Sequence, residues 1–441
     1  MDARSAAAPA GPATQPHPTF VEALREWARI GVLSFGGPTA QIALMHRVIV
    51  EERKWLTESQ FLNALSFCML LPGPEAMQLA TYAGWRLHGV AGGLAAGLLF
   101  VLPGAIVVLA LATTYALFGN VPLVEAIFFG IKAAVLVIVV EALLRIARRA
   151  LKGWDQWAIA GLAFVGIFLL AVPFPLIILA AALYGWLRRA GPVAPEVVAP
   201  ALNVSWSQTL TTIAVWLGVW IVPLAVLMLA VGQGHVLSQL ALFFSKLAVV
   251  TFGGAYAVLA YMTETVVTRY GWLEPGQMLD GLGLAETTPG PLILVTEFVG
   301  FLAAFRHGGG PPLAMGIAGA AVALWATFAP CFLWIFAGAP YIEWINSRPR
   351  LKGALSAITA AVVGVILNLA VWFALHVFFR TVTLVPMGPL RLWLPDPATL
   401  DWRVVALALV SGALLLRLHW GIPAVLGVAS GLALALRFAG L

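Results

Sequence analysis

Leu71-Pro72-Gly73-Pro74 interrupts one apolar run, and Thr288-Pro289-Gly290-Pro291 interrupts another in the same way. Pro72 has no backbone donor and blocks helix continuation, while Gly73 frees the chain to turn. Pro74 stands where the first residue of a new helix has no N–H partner to lose. The stretch therefore reads as helix, break, helix. The flanks, residues 61–71 and 76–85, are each too short to cross about 30 Å of hydrocarbon. Irregular backbone at membrane depth is tolerated only inside protein or beside a cavity. A helix that starts there offers unpaired N–H groups and a partial positive charge, which suit an anion.

Working outward, 61% of the 441 residues are hydrophobic and 10% charged, against about 25% charged in soluble domains, so the chain is an integral membrane protein. Apolar runs of about 20 residues argue helices rather than barrel strands. The net charge of +6 comes from bases at the ends of apolar runs, which orient the chain in a bilayer and give no reason to expect nucleic acid. Cys68 and Cys331 lie in apolar segments and the histidines are scattered, so neither a disulfide framework, a metal site nor a cofactor is expected.

Residues 1–19 read as a disordered tail, 20–190 as a first repeat, 191–236 as a linker with one spanning helix, and 237–441 as a second repeat. Spanning runs occupy 90–117, 121–144, 213–231, 312–336 and 355–379, and short apolar hairpins close each half. A second irregular element, Ser34-Phe35-Gly36-Gly37-Pro38, returns as Thr251-Phe252-Gly253-Gly254. The pairs Phe35/Phe252, Trp55/Trp272 and Pro72/Pro289 all lie 217 residues apart, and Pro103/Pro330 and Ile131/Ile358 lie 227 apart. Two unrelated apolar stretches would not keep Trp, Gly and Pro in register, so the chain is an internal duplication.

A single helix inserted between two even-numbered halves turns the second upside down. The basic clusters 145–152 and 348–352 are then both cytoplasmic. The expected fold is an all-α polytopic membrane protein of two inverted repeats, each of about six helical elements, with broken, re-entrant helices. That is a secondary-transporter architecture. No nucleophile with its base and no phosphate-binding loop argues for an enzyme.

The motifs resemble the chromate ion transporter family. They are Phe35-Gly-Gly-Pro-Thr-Ala-Gln-Ile-Ala-Leu-Met45-His46, Lys54-Trp55-Leu56 and Leu70-Leu-Pro-Gly-Pro-Glu75, with second copies at 252–257, 271–273 and 283–291. The resemblance runs from Val21 onward. It implies a two-domain member that exports chromate across the bacterial inner membrane, coupled to the proton-motive force, with sulfate as a competing ion of the same charge and shape. A homodimer stays open, and the second half departs from the pattern at Tyr256.

Candidate anion ligands are the backbone at Gly36, Gly37, Gly253 and Gly254 and the breaks at Pro72, Gly73, Pro74, Pro289, Gly290 and Pro291. Thr287 and Thr288 offer hydroxyls. Lys132, midway along a spanning run, is either an anion ligand or the partner of a carboxylate such as Glu125 or Glu141. Glu75, Glu286 and Glu297 lie nearest the breaks and are candidates for proton coupling, as is His46; Glu75 equally suits a helix cap. Trp55 and Trp272 are expected to anchor at an interface.

Overall fold

α1 (Phe20–Leu33) starts at a capping box, in which Thr19 Oγ1 accepts from the Glu22 N–H and the Glu22 carboxylate accepts from the Thr19 N–H. At its end Gly36 and Gly37, with φ of +84° and +75°, turn the chain into α2 (Gly37–His46). A π-helical turn (Arg47–Glu52) leads to α3 (Glu58–Cys68), opened by a second capping box at Thr57. The break follows, with Gly73 at φ +117°, and α4 (Glu75–Phe118) begins. α4 is two arms rather than one rod. His88 and Gly89 leave helical geometry, and residues 75–87 and 90–118 pack against each other. The contact is so close that a Cβ on Gly84 would lie 2.3 Å from the Gly92 oxygen, and one on Gly97 2.5 Å from Thr81 Oγ1.

The first repeat thus holds two re-entrant hairpins, one of α1 and α2, the other of α3 and the first arm of α4. Their bases lie together: Arg53 pairs with Glu26, Arg29 lies 3.4 Å from Glu52, and Phe20 meets the His88 ring at 5.5 Å. α5 (Pro122–Ala150) then spans, and α6 (Trp154–Phe168) and α7 (Phe174–Leu187) form the closing hairpin.

This computed structural model describes residues 18–119, 121–188, 205–250, 252, 255–342, 345 and 348–440; residues 1–17 of the expected tail, the linker at 189–204, Thr251, Gly253 and Gly254 lie outside the described residues, while Thr19, read as tail, caps α1. α8 (Trp206–Val231) is peripheral, with most side chains exposed. The second repeat follows as α9 (Val236–Val250), α10 (Ala255–Glu264), a π turn (Thr265–Arg269) and α11 (Pro275–Thr287). After the second break come α12 (Val295–His307), α13 (Pro312–Gly338) and α14 (Pro349–Phe378). β1 (Val382–Met387) and β2 (Leu390–Pro395) pair antiparallel before α15 (Trp402–Gly412) and α16 (Ile422–Phe438). The π turns recur in register, as do the left-handed residues Lys54 and Gly271, at φ +55° and +62°.

Equivalent helices of the repeats run antiparallel. Gln156 donates to Ser356 Oγ at 3.2 Å, which sets the start of α6, and hence the end of α5, beside the start of α14. At the other face the Arg403 guanidinium lies 5.4 Å from the Phe129 ring near the start of α5, while the Asp401 N–H bonds the Phe378 carbonyl at the end of α14 at 2.8 Å. The repeats are therefore inverted, and the basic ends of α5 and α14 share one face. Each long helix also packs on the other repeat's short hairpin, α5 on α15 and α16, α14 on α6 and α7. Among the described residues, α4, α5, α8, α13 and α14 are long and apolar enough to span.

Two expectations change. Trp55 and Trp272 are not interface anchors but core residues, 6% and 4% exposed. The loops that carry them fold back under the hairpins, where Trp55 meets Trp27 at 6.4 Å and Trp272 stacks on Tyr270 at 4.1 Å. The β-hairpin is an addition that the helical reading omits.

Candidate functional site

The re-entrant tips meet across the repeats. The Gly290 N–H donates to the Ser34 carbonyl at 2.9 Å, so the first Gly-Gly tip touches the second Pro-Gly-Pro break. Gln41 locks the contact, its amide donating to the Gly290 carbonyl at 2.6 Å and to the Ser34 carbonyl at 3.3 Å. Each break is also seated on the other repeat's long helix, one residue past that helix's internal proline. Gly104, after Pro103, takes the second break: a Cβ there would lie 2.1 Å from the Pro289 oxygen. Cys331, after Pro330, takes the first: a Cβ on Gly73 would lie 3.0 Å from its Sγ. Gln78 braces that break by donating to the Pro72 carbonyl at 2.7 Å.

At the first break the chain offers a helix start. Pro74 is the N-cap of α4 and brings no side-chain cap, so Glu75 and the residues after it begin the helix with backbone N–H groups. Space beside Gly37 is open, since a Cβ there would meet nothing within 4 Å. Such a site can bind a dianion through dipoles and release it again.

The chromate transporter family profile matches residues 21–186 and again 238–435, one match on each inverted repeat. The chain belongs to the chromate transporter family. It is 32% identical over 359 residues to the chromate transport protein of Cupriavidus metallidurans, covering 80% of this chain and 82% of that one. It is 33% identical over 360 residues to the chromate transport protein of Pseudomonas aeruginosa, covering 80% and 81% respectively. An uncharacterised transporter of Bacillus subtilis, 30% identical over 159 residues, is matched over 89% of its own length by 35% of this chain, so it has the size of a single repeat. No solved structure matches the chain.

In this chromate transporter family member the other sequence candidates fall in several places. Pro72, Gly73, Pro74, Pro289, Gly290 and Pro291 are buried at the tips, and Gly36 and Gly37 are half-buried beside them. The Thr287 hydroxyl donates to the Leu284 carbonyl at 2.9 Å and that of Thr288 to the Ala285 carbonyl at 3.2 Å, so both are engaged with their own helix. Glu286, next to the second break, accepts from the Tyr256 hydroxyl at 2.6 Å, and Glu297 is buried in the first turn of α12. His46 lies at the hairpin base, 2.6 Å from Glu58 and 3.2 Å from Glu51. Lys132 is not at the breaks. It pairs with neither Glu125 nor Glu141 but with Asp280, at 3.4 Å, and Tyr115 donates to the same carboxylate oxygen at 2.7 Å.

Asp280 and Tyr115 are absent from the sequence candidates. The readable signal was a difference between the copies, because Asp280 aligns with Asn63 at the offset of 217. Two cavities lie elsewhere. One of about 380 Å³ is bordered by Glu125, Phe129, His376, Arg380, Asp401 and Arg403. Hydrogen bonds from Arg403, at 2.9 and 2.7 Å, hold the Asp401 carboxyl below its ordinary range. The second, of about 60 Å³, sits between Glu264, Asn368 and the β-hairpin. Among the described residues no cluster of His, Cys, Asp and Glu suits a metal ion.

Proposed function

We propose that this family member exports chromate from the bacterial cytoplasm across the inner membrane, coupled to the proton-motive force, and so confers chromate resistance. The names of the relatives from C. metallidurans and P. aeruginosa support the substrate. The observation that carries the mechanism is the contact of Gly290 with Ser34, because it joins re-entrant tips of opposite repeats. A dianion entering low dielectric must exchange its water for fixed donors. Backbone amides at Gly36, Gly37 and the helix start behind Pro74 supply them on one side. The helix start behind Pro291 supplies them on the other, the Gly290 N–H being spent on Ser34, with Gly253 and Gly254 as the sequence counterparts of the first glycine pair. Glu75, Glu286 and Glu297 stand close enough to the tips to exchange protons as the site changes face, and His46 stands at the hairpin base. The basic ends of α5 and α14 mark the cytoplasmic face.

Everted membrane vesicles containing the protein test this reading. Energised vesicles are expected to accumulate radiolabelled chromate, to lose it on addition of a protonophore, and to be inhibited by excess sulfate. Accumulation no greater than in vesicles lacking the protein refutes the proposal.

A further inference from the structure

Lys132, Asp280 and Tyr115 come from three elements of two repeats: α5 and the end of α4 on one side, α11 on the other. Tyr115 is three residues from the end of α4, and Lys132 is ten residues, about 15 Å of rise, past the start of α5. Gly104, where the second break sits, is eleven residues, about 16 Å, before Tyr115. The cluster therefore lies between the tips and the face opposite the basic ends. It is separate from the tips, and its side chains differ in access. The Asp280 side chain is 3% exposed and that of Lys132 is 31% exposed, so of the two only the lysine side chain reaches open space. Asp280 Oδ2 takes both bonds, while Oδ1 is buried with no partner.

The duplication makes the cluster unusual. Its inverted counterpart consists of Asn63, Thr359 and Ile342, which carry no charge. A structural need for the ion pair would arise in both copies, since both have the same helices there. An ionised pair in a membrane protein is costly and is retained where an ion or proton must be handled. Glu286 offers no equivalent, because among the described residues its bonded partner is the Tyr256 hydroxyl, with Arg145 acting only from farther off.

We infer that Lys132 is a second oxyanion station in the exit half, and that Asp280 closes it until the carboxylate takes one proton. The proton passes from a hydronium ion of the aqueous phase, whose O–H bond breaks to leave water, to the Asp280 carboxylate, where it forms an O–H bond. The ionic contact with Lys132 is then lost, and the ammonium N–H groups pass to the oxygens of the oxyanion. Deprotonation restores the pair and expels the ion. The groups facing Asp280 are Lys132 from α5 and Tyr115 from α4, while Arg306 of α12 and Glu274, the N-cap of α11, act on Tyr115 from farther off. Among the described residues, α14 and α16 place no hydrogen bond or ion pair on it. Oxyanion binding at this station therefore carries one proton, and the neutral counterpart carries none.

The inference rests on chromate being the substrate, and its test separates the two. Purified full-length protein in weak buffer is titrated with chromate between about pH 7.5 and 9, where the ion is a dianion, with an indicator dye reporting protons. Wild type is expected to take up about one proton for each chromate bound at Lys132, with affinity weakening by up to tenfold per pH unit. Asp280→Asn is expected to bind chromate with no proton uptake and no pH dependence. Wild-type binding without proton uptake overturns the inference and leaves the substrate assignment intact. Unchanged proton uptake in the variant overturns it too. Should Asp280→Asn not purify as a folded protein, the wild-type proton balance decides alone. No chromate binding by wild type refutes the proposed function itself.

Discussion

Gly104→Ala adds one methyl group where the long arm of α4 carries the second break. The new Cβ would lie 2.1 Å from the Pro289 oxygen, about 1.3 Å short of the 3.4 Å at which ordinary contact begins. Leu294 Cδ1, at 2.6 Å, can rotate away, but the Pro289 carbonyl is backbone and must move with the break. A shift of that size breaks the 2.9 Å bond from the Gly290 N–H to the Ser34 carbonyl, leaving the N–H buried and unpaired and the carbonyl with only its longer bond from Gln41. Such a loss costs about 1–3 kcal/mol. Overpacking alone would cost a similar amount. If the assembled tips are the transport-competent state, their population falls by roughly 5- to 150-fold. The assay is initial chromate flux in everted vesicles at matched protein amounts. Thermal stability in detergent is measured in parallel. Gly161→Ala is the control, since a Cβ at Gly161 meets nothing within 4 Å and the helix should gain about 0.5–1 kcal/mol. Wild-type flux from Gly104→Ala would refute the claim that contact between the tips governs transport.

Gly73→Leu and Gly290→Leu, at φ of +117° and +88°, are expected to abolish chromate flux while the protein still inserts; wild-type transport by both would place the site away from the breaks. Gly84→Val and Gly300→Val set side chains against backbone oxygens at 2.3 and 2.6 Å and are expected to yield aggregated protein on gel filtration, whereas monodisperse material would show that the helical arms can separate. Because the folded protein holds the Asp401 carboxyl low, chiefly through Arg403, the stabilisation is complete above about pH 4 and fades as pH falls through the lowered value. Asp401→Asn should remove that part of the acid sensitivity, read as thermal stability against pH, and an unaltered acid limb would assign the pairing no role.

The duplication and the two kinds of break were legible because Gly and Pro act locally: their effects need no partner. The same logic gave the inverted order, since one odd helix between equal halves is a matter of counting. Asp280 was not legible as a site. It sits in an ordinary amphipathic turn, and the cation that gives it meaning is in the other repeat, 148 residues earlier in sequence. Trp55 and Trp272 were misread because a Trp near charged residues has the composition of an interface anchor, and only the folding-back of the hairpins buries it. The β-hairpin had a signal, alternation on either side of Met387-Gly388-Pro389, which a purely helical frame passes over. The π turns have no sequence signature that separates them from the helices they extend.

A carrier built from two identical inverted halves would have the same energy facing either way, because the symmetry operation exchanges its two states. This one does not have that degeneracy. The seat of one break is Gly104, with no side chain, and the seat of the other is Cys331, with a thiol. Nothing in its packing therefore requires the two orientations of such a carrier to have the same energy, even before any ion or gradient acts on it.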